Sequence, residues 1–91
     1  MSTVSVTRTV LITNPAGLHA RPSAAIAQTV RRSKSQVLVQ RGPDTVNAAN
    51  ILELMMLGAP QGTRLTLTAS GPDAENVLDA IAAELAKHYD S

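Results

Sequence analysis

Residues 64–85 read RLTLTASGPDAENVLDAIAAEL, and this stretch changes its hydrophobic period once. In its first part every second residue is apolar, which is typical of a strand with one buried face. After the turn at Gly71 and Pro72, apolar residues recur at helical spacing, which predicts a helix that buries one side. Asp73 is the expected N-cap residue of that helix. A one-faced strand followed closely by an amphipathic helix favours an α+β fold.

Hydrophobic periodicity predicts the remaining elements upstream of this stretch. Strands are predicted over residues 4–12, 36–40 and 45–47, and helices over residues 20–32 and 51–57. Arg8 interrupts the apolar face of the first strand, which predicts either a bulge or an edge position in the sheet. Short loops and one-faced strands indicate an antiparallel sheet with the helices on one face, an α+β two-layer sandwich. Residues 1–91 are expected to form a single domain.

The composition argues against several classes of protein. The 91 residues carry a net charge of +1, contain no cysteine and include one aromatic residue, Tyr89. Disulfides and thiol chemistry are therefore impossible, and the chain has neither the charge nor the aromatic residues of a nucleic-acid binder. We find no apolar stretch typical of a secretory signal or of a membrane span. We expect a cytoplasmic protein whose core consists of Val, Leu, Ile, Met and Ala side chains.

His19 stands where a glycine-containing loop enters the predicted helix over residues 20–32, in the run GLHARP of residues 17–22. The first backbone N–H groups of a helix lack intrahelical acceptors and lie at the positive end of its dipole, so they bind anions. A phosphoryl group on His19 would lie against them, and Arg21 adds a charge-assisted contact. Both features favour the neutral, nucleophilic imidazole at pH 7. The nucleophile and the anion site therefore coincide, and Pro22 suits the first helical turn.

Other interpretations of the polar residues are structural. A histidine at the start of a helix can also cap that helix or lie in solvent. Ser23 shares the apolar stripe of its helix but is interpreted as a surface residue and not as a nucleophile, because no base is spaced to activate it. His88 falls in the tail of residues 87–91, which is expected to fray, and we assign it no role. Because His19 and His88 lie in unrelated segments, no metal site is expected.

The short helix predicted over residues 51–57 reads ILELMML and is almost entirely apolar. Asn50 and Glu53 form a capping-box pattern at its start: the asparagine side chain accepts a helical N–H, and the glutamate reaches back to the N–H of Asn50. Gly58 is placed to end the helix. Two helical turns cannot direct six apolar side chains toward one sheet. Part of this apolar surface is therefore expected to lie outside the core.

The direction of each side chain on this helix follows from its spacing. If Leu54 and Leu57 face the sheet, then Leu52, Met55 and Met56 remain near solvent. Exposed, methionine-rich surface is typical of sites that meet several partners. Two alternatives stay open: the core wraps around more of the helix than this geometry suggests, or a second copy of the chain covers it.

Three segments carry a family resemblance. They are NPAGLHARP at residues 14–22, TVNAANILELMMLG at residues 45–58 and QGTRLTLTASG at residues 61–71. Together they resemble the HPr family, the histidine-containing phosphocarriers of the phosphoenolpyruvate:sugar phosphotransferase system, over nearly the whole chain. The resemblance implies an open-faced β-sandwich in which three helices pack on one face of a four-stranded antiparallel sheet.

The resemblance also implies roles for particular residues. His19 would be phosphorylated at ring atom Nδ1, and Arg21 would stabilise the phosphoryl group together with the backbone N–H groups of Ala20 and Arg21. Enzyme I, charged by phosphoenolpyruvate, would be the donor, and enzyme IIA-type domains would be the acceptors. We expect a monomer that carries a phosphoryl group, needs no cofactor and is not itself an enzyme. The residues that would dock these partners are Ala20, Ala24, Ile51, Leu52, Met55 and Met56.

Asn50 departs from the pattern of many family members, which carry a serine there that a bifunctional kinase/phosphorylase modifies. Asparagine keeps the helix cap but cannot be phosphorylated, so serine-based regulation is not expected. Members of nitrogen-regulatory branches have a similarly apolar second helix, so a phosphocarrier of such a cascade is one alternative. A regulatory binding module that carries no phosphate is another. A hydrolase that uses His19 as a base would need a nucleophile or a metal that the sequence does not offer.

Overall fold

The computed structural model describes residues 5–87, which form four strands and three helices. The strands are β1 (Ser5–Leu11), β2 (Gln36–Arg41), β3 (Asp44–Asn47) and β4 (Arg64–Ser70). The helices are α1 (Ala20–Arg32), α2 (Ile51–Met56) and α3 (Ala74–Ala86). The predicted order of elements is therefore confirmed. The predictions for Val4 and for residues 88–91 lie outside the described residues.

The sheet is antiparallel throughout, with its strands in the order β1-β4-β2-β3. β1 is an edge strand, which is one of the two outcomes that Arg8 predicted. The other outcome, a bulge, is excluded because the pairing of β1 with β4 runs without a break from Ser5 opposite Ser70 to Leu11 opposite Arg64. At the edge of the sheet, the side chain of Arg8 can extend beyond the core to solvent-exposed residues of α3.

The guanidinium of Arg8 pairs with two carboxylates on α3. Its Nη1 donates to Asp79 at 2.6 Å, and its Nη2 donates to Glu75 at 3.3 Å. The two acidic residues are four apart on α3 and so lie on the same side of that helix. Since both carboxylates are largely exposed, the pairs add little stability. They explain how an arginine is accommodated on the helix side of the sheet.

All three helices pack on one face of the sheet, and the core lies between the two layers. Along β4, Leu65, Leu67 and Ala69 point into the core, while Thr66 and Thr68 are half-buried on the other face. The largest fully buried apolar side chains are Ile12, Ile26, Val37, Val39, Leu54, Leu65, Leu67, Leu78 and Ile81. Within residues 5–87 no methionine is buried, so the prediction that methionine contributes to the core is wrong. On α2 the inward position is held by Leu54, and both methionines lie on the outward side together with Leu52.

Asn50 begins α2 as predicted, since its Oδ1 accepts the N–H groups of Leu52 at 3.0 Å and Glu53 at 3.1 Å. The second half of the predicted capping box is wrong. Glu53 accepts the N–H of Asn47 at 3.0 Å, because the N–H of Asn50 already donates to the carbonyl of Asn47 at 3.1 Å. Gly58, with φ +59°, follows the helix and ends it as predicted.

Asp73 occupies the N-cap position of α3, but its side chain does not cap that helix. Its carboxylate accepts the backbone N–H of Lys34 at 3.0 Å and the hydroxyl of Ser35. Gly71 permits this arrangement, because a Cβ there would lie 2.5 Å from the Ser35 hydroxyl. The Ser35 hydroxyl first, and then the Lys34 N–H, lower the pKa of Asp73. The predicted cap therefore ties two loops together instead.

Candidate functional site

His19 is the N-cap residue of α1. Its backbone is extended, with φ −96° and ψ −168°, and its carbonyl accepts the N–H of Ser23 at 3.1 Å to begin the helix. Gly17, two residues earlier, has φ +70°, a conformation that residues with a side chain adopt only under strain. After this turn Leu18 is buried, and the imidazole of His19 is half-buried at the surface.

The loop of residues 12–19, which we call the His19 loop, is fastened to residues 59–63. Hydrogen bonds join Ile12 to Gly62 and Thr63, Thr13 to Gln61, and Leu18 to Ala59. The last of these runs from the Leu18 N–H to the Ala59 oxygen at 2.8 Å. A Cβ added at Gly17 would lie 2.5 Å from the same oxygen, so this close approach requires glycine. The backbone next to His19 is thus placed by a distant part of the chain.

Asn14 braces the His19 loop from inside. It is buried, its Oδ1 accepts the N–H of Ala16 at 2.9 Å, and its carbonyl accepts the N–H of Gly17 at 2.9 Å. Its side-chain amide donates to the carbonyl of Lys87 at 3.4 Å. The sequence marked this residue as part of a turn and gave no signal for the contact with the end of α3. Asn14 therefore connects the loop to the helical layer.

The first turn of α1, residues 20–23, contains no acidic side chain that would neutralise the positive end of the helix dipole. Ala20 and Arg21 place their backbone N–H groups in this turn, where a helix offers no acceptor of its own. Both residues are exposed. In the neighbouring ring of His19, Nε2 is buried. The arrangement can hold an anion directly beside the histidine.

Ser23 lies in the same turn and is fully buried, so its interpretation as a surface residue is wrong. It belongs to the buried stripe of α1 with Ile26, Ala27 and Val30. No hydrogen-bond partner for its hydroxyl is found among the described residues. A side chain as small as serine fits against the sheet at this position. Because the hydroxyl is closed off from solvent, Ser23 does not compete with His19 as a nucleophile.

The side chains of α2 divide as the sequence predicted. Leu54 and Leu57 are 0% and 7% exposed, whereas Leu52, Met55 and Met56 are 67%, 42% and 82% exposed. The predicted exposure is therefore confirmed. We define the α2 face as the exposed side chains of Leu52, Met55 and Met56.

Three further residues were predicted to form a partner surface, and they differ in their surroundings. Ala20 and Ala24 are exposed on α1. Ile51 is half-buried and packs against the core, which makes it partly structural. Asn50 is exposed at the start of α2.

α1 and α2 are antiparallel neighbours. Near the end of α1, Nε of Arg31 donates to the carbonyl of Ala49, just before α2, at 2.8 Å. At the opposite end, the Leu18 N–H contacts Ala59, just after α2. The end of α2 that carries Met55 and Met56 is therefore the end closer to the His19 loop. A partner that covers this end of α2 also lies close to the histidine.

Residues 5–87 form neither a metal site nor a membrane span. No group of three or more His, Asp or Glu side chains in this range is placed to hold a metal ion. No helix of the described part of the chain is long and apolar enough to cross a membrane.

Comparison with known proteins agrees with this architecture. Residues 6–87 match the family model of the PTS HPr component phosphorylation site. The chain is 41% identical over 76 residues to the phosphocarrier protein HPr of Treponema pallidum, which covers 84% of this chain and 86% of that protein. It is 35% identical over 83 residues to the phosphocarrier protein NPr of Shewanella violacea, covering 91% of each. The crystal structure of HPr from Bacillus anthracis superimposes with a TM-score of 0.83 at 34% identity and covers 89% of this chain and 96% of that one.

An antiparallel sheet in the order β1-β4-β2-β3 under three helices, with a histidine at the start of the first helix, defines the class of phosphocarrier folds to which these proteins correspond. The chain belongs to the HPr family of the phosphotransferase system. The resemblance seen in three segments of the sequence, and the fold that it implied, are thereby confirmed.

Proposed function

We propose that this chain carries a phosphoryl group on His19, accepts it from phosphorylated enzyme I and passes it to enzyme IIA-type domains. The observation that carries the proposal is the position of His19 at the N-terminus of α1, with Arg21 two residues away, in a member of the HPr family. A nucleophilic ring and an anion-binding helix terminus coincide there. The protein acts as a carrier and not as an enzyme with a substrate of its own.

The ring nitrogen that we propose as the carrier is Nδ1. The burial of Nε2 supports this choice, because it directs a donor that approaches from solvent to the other nitrogen. The lone pair of Nδ1 attacks phosphorus, and the bond between phosphorus and the donor breaks with its electrons returning to the donor. Such transfers depend mainly on positioning and on stabilisation of the charge on the phosphoryl oxygens.

Arg21 and the backbone of the first helical turn are proposed to stabilise that charge. The N–H groups of Ala20 and Arg21 lie at the positive end of α1. The guanidinium of Arg21 is planar and can donate to two phosphoryl oxygens at once. Because α1 fixes the two backbone N–H groups before the reaction, the transferring group meets donors there that need no reorganisation.

The α2 face, together with Ala20 and Ala24, is proposed as the surface on which both partners dock. Its support is the exposure of apolar side chains at the end of α2 that lies close to the His19 loop. A carrier must meet a donor and an acceptor on the same surface. Flexible methionine side chains adapt to differently shaped partners, which suits that requirement.

His19→Ala tests the proposal and is expected to fold normally but to accept no phosphoryl group. His19 is half-buried at the surface and lies outside the hydrophobic core, so its loss removes little from the fold. Purified enzyme I and phosphoenolpyruvate are added, and the intact mass is measured at neutral pH. His88→Ala is the control, since His88 is the chain's other histidine. A phosphorylated His19→Ala variant, or an unphosphorylated control, would contradict the assignment.

A second candidate is a phosphocarrier of a nitrogen-related regulatory cascade. Two observations favour it: the family's regulatory serine position holds Asn50, which uses its side chain as a helix cap, and an NPr protein is among the relatives. Transfer from the phosphorylated chain to a panel of enzyme IIA domains from sugar and nitrogen systems separates the two. Faster transfer to the sugar-type domains would favour transport. Absence of phosphate on His19 would instead favour a binding module. We also propose that the chain is a monomer, which light scattering tests.

A further inference from the structure

Arg41, the last residue of β2, donates two hydrogen bonds to the segment that ends α2. Its Nη1 reaches the carbonyl oxygens of Leu57 at 2.8 Å and Gly58 at 3.0 Å. The side chain of Arg41 is half-buried, and Nη1 lies against Gly58, where a Cβ would be 3.9 Å away. A cationic donor binds a carbonyl more strongly than a neutral one. This contact therefore holds the backbone at the end of α2.

α2 cannot provide such a contact itself. The helix has six residues, ILELMM, and none of them is basic. The last carbonyls of any helix lack intrahelical donors and form its negative end, where a cation is stabilising. Arg41 supplies both the donor and the charge from a different element. It does so at the end of α2 that carries Met55 and Met56.

The segment held by Arg41 continues directly into the contact that supports His19. Ala59, which follows Gly58, is buried, and its oxygen accepts the N–H of Leu18 at 2.8 Å. Leu18 is also buried and immediately precedes His19. The carbonyl that Arg41 holds and the carbonyl that holds Leu18 thus belong to consecutive residues. A shift of the backbone at Gly58 would be passed to the His19 loop by one peptide unit.

We propose that Arg41 is a positioning residue for phosphoryl transfer. It fixes the backbone of residues 57–59 and, through this segment, the distance and orientation of His19 relative to the α2 face. The inference rests on the proposed function, because this distance and orientation matter only if a partner docks on the α2 face while it reacts with His19. Correct orientation of reacting groups is a large part of the rate of such a step. Arg41 acts through the backbone and contacts neither the phosphoryl group nor the partner.

Arg41→Met tests the inference because it keeps an unbranched side chain and removes the charged donors. Arg64→Met is the matched control, since Arg64 is exposed at the start of β4 and the same charge is lost. In the unphosphorylated protein, hydrogen exchange at the Leu18 amide is expected to become about tenfold faster. This is the change in rate expected when the free energy of one charge-assisted hydrogen bond is lost. The ring signals of His19 are expected to shift as well. The control is expected to show neither change.

Transfer from enzyme I adds a second readout. Arg41→Met is expected to lower kcat/KM several-fold, and Arg41→Lys, which keeps a charged donor, is expected to restore part of the loss. Leu18 exchange and His19 signals that match those of Arg64→Met would overturn the inference, whatever the transfer rates are. If wild type accepted no phosphate, the proposed function would fail, and the Leu18 measurement would still show whether Arg41 holds the His19 loop in place. If Arg41→Met did not fold, Arg41→Lys and Arg64→Lys are compared, and equal exchange at Leu18 would overturn the inference.

Discussion

The His19 loop and α2 lie side by side, yet the protein holds them in different ways. The His19 loop is held through its backbone, by the bond from Leu18 to Ala59 and by the turn that Gly17 permits. α2 is held through the buried side chains of Leu54 and of Leu57 at its C-cap, while Leu52, Met55 and Met56 face solvent. Main-chain bonds place the reactive residue without depending on a rotamer. Side-chain anchoring fixes the docking helix and leaves its outer face adaptable.

The largest loss of stability is expected when the anchoring of α2 is removed. Leu54→Ala deletes a fully buried side chain and is expected to lower the free energy of unfolding by about 2–5 kcal/mol. Leu52→Ala is the control, because this side chain on the same helix is 67% exposed and should change stability little. Urea unfolding of both variants gives the two values. Similar losses in both would mean that α2 is not anchored by its inward leucine.

The backbone support of the His19 loop is expected to give the next largest effect. Gly17→Ala combines a positive φ of +70° with a Cβ placed 2.5 Å from the Ala59 oxygen, and it is expected to cost about 1–3 kcal/mol of stability. Gly42→Ala is the control, since Gly42 has φ +56° and no heavy atom within 4 Å of its added Cβ. The difference between the two variants measures the contact with Ala59. Equal losses would assign the whole effect to backbone strain.

A charge on the α2 face is expected to separate docking from folding. Met55→Asp should leave the melting temperature nearly unchanged, because this side chain is 42% exposed and outside the core. It should weaken binding of enzyme I by about tenfold, since it places a charge in an apolar contact. The control is Thr9→Asp, which introduces the same charge at an exposed position of β1. If Met55→Asp unfolds the protein while the folded fraction still binds enzyme I normally, then Met55 belongs to the core and not to the docking surface.

Local patterns in the sequence predicted one side of this comparison well. The hydrophobic period of a strand or helix depends on neighbouring residues, so the order of all seven elements could be inferred without knowledge of the fold. The outward direction of Met55 and Met56 followed from the limited width of one helical face. The position of His19 at the start of α1 followed from the loop and helix signals around it.

The contacts that hold the His19 loop could not be predicted in this way. The bond between Leu18 and Ala59 joins backbone atoms of distant segments, and backbone groups leave no mark in a sequence pattern. Arg41 gives no local signal for the same reason, because its acceptors are carbonyls of another element. Asp73 is the N-cap residue of α3 as predicted, but its carboxylate does not cap the helix, because the loop after α1 brings better-placed donors to it. In each of these cases, contacts between segments distant in the sequence decided which hydrogen bonds form.

The smallest effect is expected at Asp73, which ties loops together at the end of α1 far from His19, about 20 Å along the helix. Hydrogen bonds from Ser35 and Lys34 lower the pKa of Asp73 from 3.8, so the ionised carboxylate stabilises the fold. That stabilisation is present above pH 3.8 and is lost as the pH falls through the lower pKa of the folded state. Asp73→Asn should therefore flatten the loss of stability in acid without slowing phosphoryl transfer. Urea unfolding between about pH 2 and pH 7 measures the stability of the variant and of wild type. Asp44→Asn is the control, because Asp44 is exposed. If Asp73→Asn had the same pH dependence as wild type, the hydrogen bonds to Asp73 would contribute nothing to stability.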